Sequence, residues 1–91
     1  MTTPEQPDTL LEFPCQYPVK VMGESHADFS DLVVKIIRRH ADDVSDNAVR
    51  TRQSSGGKYS SVTVTITATS KAQLDAIYQD LTAEPRVKYA L

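Results

Sequence analysis

Residues 61–69 constrain this chain more than any other stretch. Val62, Val64, Ile66 and Ala68 alternate without a break with Ser61, Thr63, Thr65, Thr67 and Thr69. A strand turns successive side chains to opposite faces, so the pattern defines a β-strand with one apolar and one polar face. A strand of an all-parallel sheet, covered on both sides, would read as a continuous apolar run. The alternation therefore points to an antiparallel sheet covered on one side and open to solvent on the other. The covering layer must come from the same 91 residues. They form one domain, because a split would leave neither half with enough core.

The rest of the chain supplies that layer. Residues 1–9 (MTTPEQPDT) carry two prolines and no large apolar group except Met1, and are expected to be a flexible tail before a single domain over 10–91. Gln16–Met22 forms a first strand, with Tyr17, Val19 and Val21 on one face and Gly23 as its stop. Ser25 with Asp28 suggests a capping box, followed by an apolar stripe of Phe29, Leu32, Val33, Ile36, Ile37 and His40 at helical spacing. A more polar strand over residues 43–53, around Val44, Ala48 and Val49, leads through the turn formers Ser54-Ser55-Gly56-Gly57 into the alternating strand. Ser70 and Gln73 give a second capping signature, before a helix bearing Leu74, Ile77, Tyr78 and Leu81. Pro85 ends that connection, and Val87, Tyr89 and Leu91 mark a last short strand.

The order β-α-β-β-α-β is the split-βαβ, ferredoxin-like arrangement, an α+β sandwich. Right-handed crossovers put both helices on one face of a four-stranded antiparallel sheet in the order 4-1-3-2. Nothing in the sequence covers the other face. By strand parity that open face carries Lys20 and Met22 from the first strand and Ala48, Arg50 and Arg52 from the second. The third contributes Tyr59, Ser61, Thr63, Thr65 and Thr67, and the fourth Arg86 and Lys88. Five of the ten basic residues fall there and no carboxylate clearly does, while the twelve acids gather in the N-terminal segment and around the helices. The expected molecule is dipolar, with a basic, threonine-lined sheet that attracts and steers anionic partners. The competing reading is that these cations only keep an exposed sheet soluble and block edge-to-edge pairing.

Charge and composition exclude several classes. A formal net charge of −2 argues against indiscriminate binding to nucleic acid or membranes. No apolar run exceeds three residues, so no membrane-spanning helix is expected, and the N-terminus has neither the basic nor the apolar region of a secretory signal. A single cysteine, Cys15, excludes an intramolecular disulfide and fits a reducing compartment, so the chain is expected in the cytoplasm. His26 and His40 lie about 21 Å apart along a helix and cannot share a metal. Gly56-Gly57 lacks the Lys-Ser/Thr and the helix of a phosphate loop, and Ser54-Ser55 has no base nearby in sequence. No catalytic residue, metal site or cofactor is expected, and the chain reads as a non-enzyme. RNA-recognition domains share this element order but stack bases on several aromatics, where this face offers Tyr59 alone. The Gly23-Glu24-Ser25 turn is the one candidate ligand loop, but Glu24, Asp28 and Asp31 already occupy the positive potential a helix N-terminus would offer an anion.

Several segments match, in order, one family pattern: Leu10-Leu11-Glu12-Phe13-Pro14, Val19-Lys20-Val21-Met22-Gly23, Arg39-His40-Ala41, and Ser54-Ser55 followed by Gly57-Lys58-Tyr59 and the Val–Thr strand. Over residues 10–91 the chain resembles the YbeD-like family of small bacterial proteins. The resemblance implies an ACT-like, ferredoxin-like fold and brings no established enzymatic activity, and it carries a suggested link to lipoate metabolism without assigning any residue a role. The expectation that follows is a non-catalytic interaction or regulatory module. It would bind a protein partner through the open face or an edge strand, with a small-metabolite sensor of the ACT type as the alternative and a nucleic-acid binder third. Pairing of edge strands into a homodimer is compatible with the same topology.

Overall fold

The computed structural model describes residues 12–42, 44–54 and 56–91. The segment 1–9 and residues Leu10 and Leu11 lie outside the described residues. Strand β1 (Cys15–Glu24) leads to helix α1 (Phe29–Arg38), a 3-10 turn (Asp46–Ala48), strands β2 (Val49–Gln53) and β3 (Tyr59–Ala68), helix α2 (Lys71–Ala83) and strand β4 (Val87–Ala90). The sheet order is β2-β3-β1-β4, which is 4-1-3-2 counted from the other edge, and every pairing is antiparallel. The fold is the ferredoxin-like α+β sandwich that the element order implies.

The alternation in β3 does what its chemistry requires. Val62, Val64, Ile66 and Ala68 are at most 1% exposed and meet Val19 and Val21 of β1 beneath Phe29, Val33, Ile36 and Ile37 of α1 and Leu74, Ile77 and Leu81 of α2. Ser70 caps α2, its Oγ accepting the Gln73 amide at 3.1 Å. The Gln73 side chain accepts the Thr69 amide at 2.7 Å and donates to the His40 carbonyl at 2.9 Å, tying the start of α2 to the end of α1. His40 sits beyond the last turn of α1, with Nε2 2.7 Å from Asp80 Oδ2, so it packs and ties the two helices together.

Three expectations are corrected. Gly23 does not stop β1, which pairs with β3 as far as Glu24↔Tyr59. What Gly23 supplies is close approach: a Cβ there would overlap the Arg86 carbonyl and the Phe29 ring. Ser25 does not cap α1; Asp28 is the N-cap residue, without a side-chain cap bond. Ser25 is instead held by β3, its amide donating to the Lys58 carbonyl at 3.0 Å and its hydroxyl 2.7 Å from that of Ser60. Finally, β2 begins at Val49 rather than near residue 43. Val44 is buried ahead of the 3-10 turn, its carbonyl accepting from Arg38 Nη2 at 3.0 Å, which explains why it does not share strand parity with Val49.

Candidate functional site

The open face is built from cross-strand rows, since directly paired residues in an antiparallel ladder project from the same side. One row runs Arg50–Thr63–Lys20 and the next Arg52–Ser61–Met22. Beyond them lie Pro18↔Thr65 and Gln16↔Thr67, with Gln16 Nε2 donating to Thr67 Oγ1 at 3.0 Å. Thus Lys20, Met22, Arg50, Arg52, Tyr59, Thr63, Thr65 and Thr67 share one face, as their parity requires. Ala48 belongs to the 3-10 turn and lines a shallow depression with Arg50, Thr65 and Thr67. A second depression, of about 360 Å³, lies among Met22, Arg52, Tyr59 and Ser61.

Strand β4 changes the picture. Val21 pairs with Ala90 and Met22 with Tyr89, but Gly23 pairs with Val87, so Lys88 is the extra residue of a β-bulge. Lys20 and Leu91 exchange both backbone hydrogen bonds, at 3.1 and 2.7 Å. Tyr89 therefore projects with Met22 and Leu91 with Lys20, onto the open face and not into the core, where alternation with Val87 would have put them. No sequence signal marks that bulge. The result is that the large hydrophobics exposed among the described residues, Tyr59 (37%), Tyr89 (47%) and Leu91 (65%), all stand on the open face around half-buried Met22.

The charges also differ from the sequence reading. Glu24 does lie on this face, opposite Tyr59, and its carboxylate is 3.5 Å from Lys88 Nζ. Arg86 does not serve it. It sits in the turn before β4 and grips Asp28 at the start of α1, with Nη2–Oδ1 at 2.6 Å and Nη1–Oδ2 at 3.4 Å. That hydrogen bond holds the Asp28 carboxyl below its ordinary value and raises the guanidinium in turn. Lys20, Arg50 and Arg52 make no ion pair among the described residues, whereas the helical side pairs Arg38 with Asp46, Arg39 and His40 with Asp80, and Lys71 with Asp75. Lys58 lies 5.8 Å from the Tyr59 ring centroid.

Gly23, Glu24 and Ser25 form no open cradle: the first is walled in by Phe29 and Arg86, the second pairs with Lys88, and the third with Ser60. Among the described residues no group of three or more His, Cys, Asp or Glu is placed to hold a metal ion, and no helix is long and apolar enough to cross a membrane.

Fold and surface together define a small α+β sandwich with one sheet face sealed by the helices and the other left uncovered by the described residues. The family model for a protein of unknown function (DUF493) matches residues 8–91. The chain is 48% identical over 84 residues to a UPF0250 protein of Paraburkholderia phytofirmans, covering 92% of this chain and 94% of that one. It is 50% identical over 90 residues to a UPF0250 protein of Pseudomonas paraeruginosa, covering 98% and 97%. The chain belongs to this DUF493/UPF0250 family, the YbeD-like proteins that its segments resemble. The solution structure of protein HP0495 from H. pylori superimposes with a TM-score of 0.67 at 13% identity, over 89% of this chain and 85% of that one, a likeness of fold.

Proposed function

We propose that this chain is a non-catalytic interaction module that docks a protein partner on its open sheet face. The observation carrying this reading is the coincidence, on the side of the sheet that the described residues leave uncovered, of the exposed large hydrophobics with three cations unpaired among those residues. Tyr and Arg are the side chains that dominate binding energy at protein interfaces, and an apolar patch rimmed by charge marks such surfaces. Tyr59, Tyr89, Leu91 and Met22 supply apolar anchors. Lys20, Arg50 and Arg52 draw an acidic partner and set its orientation, and Thr63, Thr65 and Thr67 give a row of hydroxyls between them.

The test is affinity capture from a bacterial lysate, with and without nuclease, comparing the wild type with a folded Lys20→Glu, Arg50→Glu double variant. A specific protein retained by the wild type, released by added salt and lost from the variant is the expected result. Retention of the same protein by the variant contradicts it. Material that disappears on nuclease treatment would favour single-stranded nucleic acid stacking on Tyr59 and Tyr89 instead.

A further inference from the structure

We infer that the outer edge of β2, with the groove beside it, accepts an extended acidic segment of a partner protein as an additional strand of the sheet. This rests on the reading of the sheet as a partner surface and names the place and chemistry of one contact.

The edge is available in hydrogen-bonding terms. β2 ends the sheet order, and Arg50–Gln53 are all exposed. The Ser54 amide donates to the Tyr59 carbonyl at 2.8 Å, so by the alternation of an antiparallel ladder Arg52↔Ser61 and Arg50↔Thr63 are also hydrogen-bonded pairs. The backbone groups of Val49, Thr51 and Gln53 then face away from β3. The Val49 amide is taken by the Asp46 carbonyl in the 3-10 turn, which among the described residues leaves the amides of Thr51 and Gln53 and three carbonyls open to an incoming strand.

Side chains on both sides of such a strand would meet something. On the open face stand Arg50 and Arg52, without ion pairs among the described residues. On the helical side a groove of about 500 Å³ runs between α1 and β2, lined by Asp31, Val34, Lys35, Arg38, Asp46 and Val49. Strand addition draws affinity from main-chain hydrogen bonds and specificity from what receives alternate side chains. Here one parity calls for carboxylates and the other for small apolar groups over Val34 and Val49.

A second copy of the chain fits this edge badly. The antiparallel registers that set Thr51 of one β2 opposite Thr51, Val49 or Gln53 of another place an arginine against an arginine: Arg50 against Arg52 when Thr51 meets Thr51, or one of them against itself one step along. Like charges directly opposite are destabilising. An acidic strand reverses the sign of that contact.

The probe is a short synthetic peptide alternating glutamate with valine, with a block-ordered peptide of the same composition as control. Binding is followed by fluorescence anisotropy and by amide NMR. The alternating peptide should bind more tightly than the control, shift the Val49, Thr51 and Gln53 amides, and slow exchange at Thr51 and Gln53. Thr51→Pro removes an outward N–H while leaving the β3 ladder whole, and should weaken binding about tenfold. An Arg50→Glu, Arg52→Glu variant should exchange its preference for a peptide alternating lysine with valine. Equal binding of the block peptide, or unchanged exchange at Thr51 and Gln53, overturns the inference; that exchange measurement on the wild type decides even if proline at 51 unfolds the chain. If the captured partner is lost on Lys20→Glu but kept by Thr51→Pro, the open-face reading survives and the edge reading fails.

Discussion

The two faces of β3 share one backbone and differ in nearly everything else. On the covered side Val62, Val64, Ile66 and Ala68 are sealed by the helices, and several charges of that half are paired: Arg39 and His40 with Asp80, Lys71 with Asp75, Arg86 with Asp28. On the open side Lys20, Arg50 and Arg52 stand unpaired among the described residues, and tyrosine and leucine are left in water. The first face buries its apolar side chains within the chain. The second carries cations and large apolar groups that the described residues leave without partners, and folding stability gains little from it. Stability and binding should therefore be separable by mutation, one face at a time.

The largest expected effect comes from the sealed face. Ile77 is 0% exposed. Ile77→Ala should cost about 2–5 kcal/mol, measured as a fall in the urea midpoint at constant slope. Thr65→Ala on the open face should stay within about 0.5 kcal/mol of wild type. Equal losses at both would break the contrast.

Next is Gly23→Ala. The added methyl meets the Phe29 ring and the Arg86 carbonyl, and overpacking of this kind costs about 1–3 kcal/mol. A neutral result in the same denaturation assay would mean that β1, α1 and the turn before β4 are less tightly joined than the structure shows.

The smallest effect is electrostatic. The Arg86 hydrogen bond lowers the Asp28 carboxyl from its ordinary value of 3.8. A group whose pKa is depressed on folding stabilises the folded state above its unfolded pKa and loses that contribution as pH falls through the folded one. Between neutral pH and the unfolded pKa the contribution of this ion pair should be constant, and it should fade below about pH 4. Asp28 is exposed, so the effect is modest. The difference in urea midpoint between wild type and Asp28→Asn should be level above that pH and shrink below it. A difference that grows on acidification contradicts the assignment.

Much of this was legible in the sequence because it depends on local periodicity. The alternation of residues 61–69 named the covered face, the spacing of Phe29, Val33, Ile36 and Ile37 named the helix that covers it, and parity placed Lys20, Met22, Arg50, Arg52 and Tyr59 together. The features that escaped depend on contacts between distant segments. The bulge at Lys88 exists only in the pairing of β4 with β1, and a slip of one residue carries Tyr89 and Leu91 to the opposite face. Ser25 is a plausible cap until Ser60, thirty-five positions away, takes its hydroxyl. Arg86 belongs to the open face by parity until Asp28, fifty-eight positions away, takes its guanidinium. Local pattern thus defined the sheet and most of its open face, and tertiary pairing decided which charges and aromatics remain free on it.

The most direct measurement sets two variants side by side. One carries Tyr89→Ser with Lys20→Glu on the open face; the other carries Lys71→Glu on the helical side. Each is assayed for its urea midpoint and for retention of the protein captured by the wild type. Near-native midpoints in both, loss of the partner from the first and full retention by the second are the expected results. Retention by the open-face variant, or equal loss from both, would contradict the assignment of binding to the bare face of the sheet.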